Sequence, residues 1–379
     1  MEHVCIITSG YPTEEDPQYA FIKPVVDSLV DLGVKCSVIA PQSLTKILFN
    51  KRIVRQTYWQ DTTIKGNKVD IYQPKYVSFS RLKLFGYSIS YLLENIVIKK
   101  TFYKLDKPTV LYGHFWKSGM SAAMLKQKIP IFVASGESKI GIKDSYPEKF
   151  IQKHIESITG AIFVSTKNKD ESFSLGLVSK QTRTIVIPNA IDHEKFYKQD
   201  KIEARKKLGF NTDDFIVAFT GAFTERKGVS RLSKAINEVG DIKSIFIGKG
   251  ELKPECDGIL FSGKMPHAEI VNYLNCADVF ILPTLAEGCC NAILEAMACG
   301  LPVISSDRAF NDDILNESFS IRVDPTNIKQ IRDAITLLKK DKDKREMMVK
   351  AALLKSREFE INARIEKIMN FIENVSNDA

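Results

Sequence analysis

VFILPTLAEGCCNAILEAMACGLPVISS, Val279–Ser306, reads as strand, loop, helix, turn and strand. VFILP is a short apolar run of the kind that fills a buried strand. Thr284 to Cys290 form the loop at its carboxyl end, and a helix starts near Asn291. A small-residue turn then leads into a second apolar run, PVISS. Two such runs joined by a helix make a βαβ unit, which requires a parallel sheet.

The same alternation runs through the chain. In the first half, strands are expected at 4–8, 34–40, 109–113, 131–135, 161–165 and 184–188. In the second half they are expected at 215–221, 244–248, 259–263, 279–283, 302–306 and 320–323. At 379 residues the chain exceeds what one core usually fills. The pattern predicts two Rossmann-like, doubly wound α/β domains facing across a cleft, with ligands beyond the carboxyl ends of the strands. The boundary falls in PNAIDHEKFYKQD, at a Pro-Asn turn. Residues 1–188 then form the first domain and 189–358 the second. The amphipathic helix at about 359–379 is expected to pack back on the first domain, with disorder confined to the NVSNDA end.

Hydrophobic content of 44% and charged content of 26% are those of an ordinary globular protein. The opening MEHVCIITSGYP reads as a strand rather than a signal peptide, and no run is long enough to cross a bilayer, so a cytoplasmic location is expected. Seven scattered cysteines do not make a disulfide framework. The five histidines show no paired spacing, so no metal site is expected. The formal charge of +8 is regional: residues 42–107 hold 13 Lys/Arg against 4 acids, and the remainder is near neutral. Within this region Leu82, Phe85, Ile89, Leu92 and Ile96 would share one helical face between cationic ends. Such a face either packs on the domain core or docks on anionic lipid. No nucleic-acid-binding signature accompanies the charge, so nucleic acid is not an expected partner.

Two stretches carry candidate chemistry. In FTGAFTERKG, a strand ending at Gly221 leads to Arg226 and Lys227 at the start of a helix. Two cations at a helix N-terminus suit a diphosphate, whereas two solvated basic residues in a loop are the plain alternative. In AEGCCNAILEAM, Glu287 lies in the loop and Glu295 about one turn into the helix. Carboxylates there can hold sugar or ribose hydroxyls, and Gly288 and the free amides of the helix start can hold an anion. Taken alone, a surface helix residue and a loop charge are the preferred reading of the two. The GKG at Gly248 and Gly250 lacks the third glycine of a dinucleotide fingerprint and is weak by itself. Cys289 and Cys290, at a helix start, could carry a lowered pKa and a redox role. Small side chains that let the loop close on a ligand are the preferred reading.

Together GAFTERKG, GKGE, VIPNAID and the long segment from FSGKMPHAEI to VISSD resemble the carboxy-terminal domain of retaining family 4 glycosyltransferases of the GT-B fold. The resemblance is strong over about 183–340 and weaker in the first half. It implies that Lys227 and Arg226 bind the donor diphosphate. It also implies that Glu287 contacts the donor sugar, that amides of Gly288, Cys289, Cys290 and Asn291 reach sugar and phosphate, and that Glu295 holds the ribose. Lys264, Met265 and Pro266, with Gly248 and Gly250, fall at the base and ribose, and Gly221 at the donor loop. His114 falls at the reaction centre and Gly10 under the donor phosphates. The chain departs from the family at Ala222, often an arginine, at Ala190 and Ala20, often glycines, and at Cys289-Cys290, usually Phe-Gly or Phe-Ser. The loop around Tyr19-Ala20-Phe21 belongs to the acceptor side.

The resemblance implies a bacterial enzyme that moves a hexose, with retention, from a nucleotide sugar to a lipid-linked or other glycan acceptor in surface-polysaccharide synthesis. A UDP-sugar is the favoured donor and a GDP-sugar the other candidate. No metal is required if the cations neutralise the leaving group. Peripheral association with the inner face of the cytoplasmic membrane would account for the basic region. A nucleotide-sugar 2-epimerase of the same fold, or a donor-binding scaffold, are the rival readings.

Overall fold

The computed structural model describes residues 2–13, 19, 22–50, 53–80 and 82–377. Two compact units emerge, Met1–Val164 with Asn168–Ile187 and Ile365–Ala379, and Ser165–Lys167 with Pro188–Arg364. Ala20 and Phe21 of the predicted acceptor-side loop lie outside the described residues.

The first unit is built on β1 (His3–Ile7), β2 (Lys35–Ile39), β3 (Tyr58–Thr62), β4 (Lys68–Tyr72), β5 (Val110–His114), β6 (Ile131–Ser135), β7 (Gly160–Phe163) and β8 (Arg183–Val186). They lie in the order β8-β7-β6-β5-β1-β2-β4-β3. All pairings are parallel except β3 with β4. Every residue of β1 is buried because both faces of the sheet are covered. Val4 and Ile6 join one core with Val26 and Leu29 of the helix Ile22–Asp31, and with Ile365, Ile368 and Ile372 of the terminal helix. Cys5 and Ile7 point to the opposite core, with Leu111, Trp116 and Met120.

Three expectations change here. The sequence reading placed no strand between residues 40 and 109, yet β3 and β4 form an antiparallel hairpin at the sheet edge. Its residues YWQDT alternate exposed and partly buried, so no apolar run announces it. The proposed helical stripe from Leu82 to Ile96 is also broken. Lys83–Leu84 and Tyr87–Ser88 form a small hairpin, and the helix begins only at Ile89. That helix turns Glu94, Asn95, Ile98 and Phe102 inward and leaves Ile96 exposed. Finally, the helix Ile361–Asn377 carries most of the NVSNDA end in regular structure.

The second unit contains β9 (Ile216–Thr220), β10 (Lys243–Ile247), β11 (Ile259–Gly263), β12 (Val279–Leu282), β13 (Val303–Ser306) and β14 (Ser320–Val323). Their order is β11-β10-β9-β12-β13-β14, all parallel. Chain direction across the sheet reverses between β9 and β12, which makes their carboxyl ends the switch point. A buried ion pair fixes these two strands at their other ends. Arg205 donates to Asp278 Oδ2 at 2.8 Å and to the carbonyls of Cys276 and Thr212. Asp278 also accepts from the Ile216 amide at 2.8 Å and from Lys201 at 2.6 Å.

Candidate active site

At the switch point of the second unit, the loop after β9 and the loop after β12 are joined by the Leu285 amide donating to Arg226 O at 2.8 Å. Arg231, on the helix Val229–Val239, stiffens the junction. Its guanidinium donates to Pro283 O at 3.0 Å, Glu225 O at 2.9 Å and Pro325 O at 2.7 Å, and it pairs with the Glu225 carboxylate. Gly228 caps that helix at φ +81, where a Cβ would lie 2.5 Å from Pro283 O. Glycine is therefore required for the two loops to touch.

Glu287 is the hub of the junction. Its Oε1 receives Lys227 Nζ at 2.6 Å, Arg226 Nη1 at 2.8 Å and Thr284 Oγ1 at 2.8 Å. Arg226 also donates to Ala286 O at 2.6 Å. Thr284 is held in turn by Ser306, whose hydroxyl donates to Thr284 O at 2.5 Å. The structure thus brings Arg226, Lys227 and Glu287 together, with both cations on the carboxylate. Such a cluster can exchange one anion for another without stranding a charge.

The helix Asn291–Ala298 starts directly after Cys290, and no side chain caps it. The Ile293 amide turns back to Cys290 O at 3.2 Å, and a helix start without a side-chain cap can receive an anion at its remaining amides. Asn189, from the VIPNAID stretch, donates to Cys289 O at 3.2 Å and to Asn291 Oδ1 at 2.8 Å, which pins the loop against the helix start. Cys289 and Cys290 are buried free thiols. Burial pushes the Cys289 thiol up to about 12 and the Cys290 thiol up to about 11, the latter against the pull of Lys227. The lowered pKa considered for a redox role does not arise, because desolvation outweighs the helix start.

Glu295 is buried on the same helix, and its Oε1 lies 3.0 Å from His267 Nε2. That contact raises the His267 pKa, against the effect of burial. The His267 ring also meets Phe196 edge-on at 5.1 Å. His267 follows directly on Lys264, Met265 and Pro266, so this segment and Glu295 share one corner. Gly248 and Gly250 have a packing reason for being glycine. A Cβ on Gly248 would lie 1.8 Å from Gly221 O, and one on Gly250 would lie 2.1 Å from Phe223 O. Backbone of the loops after β9 and β10 runs in contact there, with Gly221 N–H donating to Ile247 O.

Gly10 and His114 belong to the first unit, at the carboxyl ends of adjacent strands β1 and β5. Gly10 lies under the Tyr19 ring, where a Cβ would come within 2.3 Å. His114 stacks edge-on with Phe115 at 4.5 Å, and Phe115 has φ +73, uncommon for an aromatic residue. Nearby, Glu137 accepts from the Trp116 amide at 2.7 Å and from Ser135 Oγ at 2.7 Å. Burial pushes its carboxyl up, and those hydrogen bonds oppose the shift. Thr284, His267, Asn189, Arg231 and Glu137 were not singled out from sequence.

Residues 200–355 match the protein family described as glycosyl transferases group 1. Those residues form a group 1 glycosyltransferase domain. The enzyme is similar to the putative teichuronic acid biosynthesis glycosyltransferase TuaC of Bacillus subtilis, with 27% identity over 87% of each chain. It is also similar to the N,N'-diacetylbacillosaminyl-diphospho-undecaprenol alpha-1,3-N-acetylgalactosaminyltransferase of Campylobacter jejuni, at 25% identity over 94% of this chain and 96% of that one. Among solved structures, HepE from Anabaena, in complex with UDP and glucose, superposes with a TM-score of 0.70 at 14% identity, over 98% of this chain and 99% of that one. The fold of the glycosyltransferase is GT-B, with a Rossmann-like sheet in each unit. No helix among the described residues is long and apolar enough to cross a membrane.

Proposed function

We propose that the glycosyltransferase moves a hexose, with retention, from a nucleotide sugar to a lipid-linked saccharide in bacterial surface-polysaccharide synthesis. One observation carries the donor half of this reading: Glu287 gathers Lys227 and Arg226 at the switch point of the second sheet, beside an uncapped helix start. There Lys227, Arg226 and the amides from Gly288 to Asn291 would take the diphosphate, and Glu287 would turn to the sugar hydroxyls. Glu295 would hold the ribose, with Lys264, Met265 and Pro266 at the base. In the first unit, Gly10 would serve the donor phosphates and His114 the reaction centre, as the resemblance implies.

In the transfer, the bond from the anomeric carbon to the diphosphate breaks. The acceptor hydroxyl bonds to the same face, and its proton passes to the departing phosphate oxygen. Stabilising charge on that oxygen is the protein's main task, which preorganised cations and amides perform without reorganising. With two cations on the leaving group, we read the transfer as metal-independent. UDP is favoured as the nucleotide, in keeping with the UDP bound to HepE. The lipid-linked acceptor follows the undecaprenol-linked substrate named for the Campylobacter enzyme. Such an acceptor places the enzyme at the inner face of the cytoplasmic membrane.

A thermal-shift screen of nucleotide sugars tests the donor, because a bound donor raises the melting temperature by mass action. A UDP-sugar is expected to stabilise the protein, with and without EDTA, and Lys227→Ala to abolish the shift. Transfer by Lys227→Ala at the wild-type rate would overturn the site assignment. A product of inverted anomeric configuration, read by proton NMR, would overturn retention.

A further inference from the structure

Apart from Ile64 at the turn of the β3–β4 hairpin, 93% exposed, the most exposed large apolar side chains of the first unit fall in two neighbouring stretches of chain. Phe85 is 88% exposed, Phe49 81% and Leu48 78%, with Val54, Leu84, Leu82, Val77 and Phe79 exposed around them. They occupy two projections. Leu48 and Phe49 end the helix Leu44–Asn50. Phe85 and Gly86, at φ +49 and +83, form the tip of the small hairpin Lys83–Ser88. A bulky aromatic in a left-handed turn, where Asn or Gly is favoured, is held there at a cost and gains no packing. Hydrogen bonds tie the projections to one another. The Ser78 amide donates to Thr45 Oγ1 at 3.0 Å, the Phe79 amide to Ser90 Oγ at 2.8 Å, and the Ile89 amide to Leu82 O at 3.1 Å.

Charge selects the partner. Residues 42–60 and 71–93 contain 7 Lys/Arg and no Asp or Glu. The next acid, Glu94, is buried, bridged by Lys117 at 2.7 Å and hydrogen-bonded by Tyr76. Asp144 and Glu148 flank the segment on which the hairpin packs, and Glu148 is paired with Lys143 at 3.1 Å. Apolar tips flanked by cations match the boundary between acyl chains and anionic headgroups.

We propose that the Leu44–Asn50 helix and the Lys83–Ser88 hairpin form one docking surface for an anionic bilayer, with Leu48, Phe49, Leu84 and Phe85 entering the lipid and Lys46 and Lys83 meeting headgroups. This rests on the lipid-linked acceptor reading and supplies its physical means, since an acceptor held in a membrane must be met at its surface. Each inserted aromatic contributes about tenfold in affinity, and each nearby Lys or Arg about fivefold.

The test is co-sedimentation of the full chain with vesicles of phosphatidylcholine alone and of equal parts phosphatidylcholine and phosphatidylglycerol. Binding to the anionic vesicles only, weakened by salt, is expected. Phe49→Ser with Phe85→Ser should lower it at least tenfold, and Lys46→Gln with Lys83→Gln about tenfold or more, while the UDP-induced thermal shift stays intact in both. Absence of wild-type binding, or wild-type binding by both double variants, overturns the proposal. So does a concentration-dependent dimer that the Phe variants abolish, because the surface would then serve a second copy. A wild-type protein that binds vesicles but shows no nucleotide shift would instead sink the donor reading and leave the docking surface standing.

Discussion

Replacing Glu287 by glutamine separates the two tasks assigned to that carboxylate. Glutamine keeps the size and an acceptor for Thr284, but it removes the charge answering Lys227 at 2.6 Å and Arg226 at 2.8 Å. Lys227 is only 12% exposed, so its charged hydrogen bond falls in the range of about 1.5–3 kcal/mol. Arg226 is 43% exposed, and its share is about 0–1 kcal/mol after screening. Glu287→Gln should therefore destabilise the protein by about 2–3 kcal/mol. The cations it frees no longer have to leave a carboxylate before taking a diphosphate. UDP affinity, read by titration calorimetry, should rise about tenfold, or about 1.4 kcal/mol. Sugar transfer should fall about 100- to 1,000-fold, the usual loss for a group aimed at the reacting centre. If UDP binding weakens in step with transfer, the carboxylate is not a competitor for the cations, and the exchange argument fails.

Three further outcomes follow from groups around this junction. Asp278→Ala leaves Arg205 buried without its carboxylate and should cost about 3–5 kcal/mol in urea unfolding; a loss under about 1 kcal/mol would contradict that account. Cys289 and Cys290, raised to about 12 and about 11, should resist alkylation in the native protein near pH 7.5 and react only on unfolding, so rapid native labelling would show an accessible thiolate. The His267 contact with Glu295 raises the imidazole pKa, so its stabilisation is fully present below the unfolded value of about 6.5 and fades as pH rises through the raised value. The melting-temperature gap between wild type and His267→Asn should accordingly be widest below about pH 6.5 and narrow as pH rises above it, and a gap that widens with pH would reverse the assignment.

The central parallel strands, such as β1, β6 and β12, were legible because each is buried along its whole length and written as an unbroken apolar run. The edge hairpin of β3 and β4 was not, since a strand half in water carries polar residues and leaves no run to find. The stripe from Leu82 to Ile96 misled for a related reason. Five apolar residues at helical spacing fit one face, but Phe85-Gly86 takes a left-handed turn that ends any helix before Ile89. At the candidate site, the sequence marked Arg226, Lys227 and Glu287, which the structure brings together. What holds them could not: Asn189 lies about a hundred residues from the loop it pins, and Arg231 acts through backbone carbonyls that leave no mark in sequence. The Cys289-Cys290 pair illustrates a competition that only coordinates resolve, between a helix start that lowers a thiol pKa and burial that raises it.

The contact of Gly248 with Gly221 divides this region into positions that can vary and positions that cannot. Any side chain at 248 would have to occupy the space of a neighbouring carbonyl oxygen, and one at 250 would meet the same obstacle at Phe223. Lys249 between them and Ala222 beside them are exposed and already carry side chains. Under the donor reading proposed above, variation aimed at another donor belongs at 222 and 249, with the glycines left as the fixed frame against which the new side chains are read.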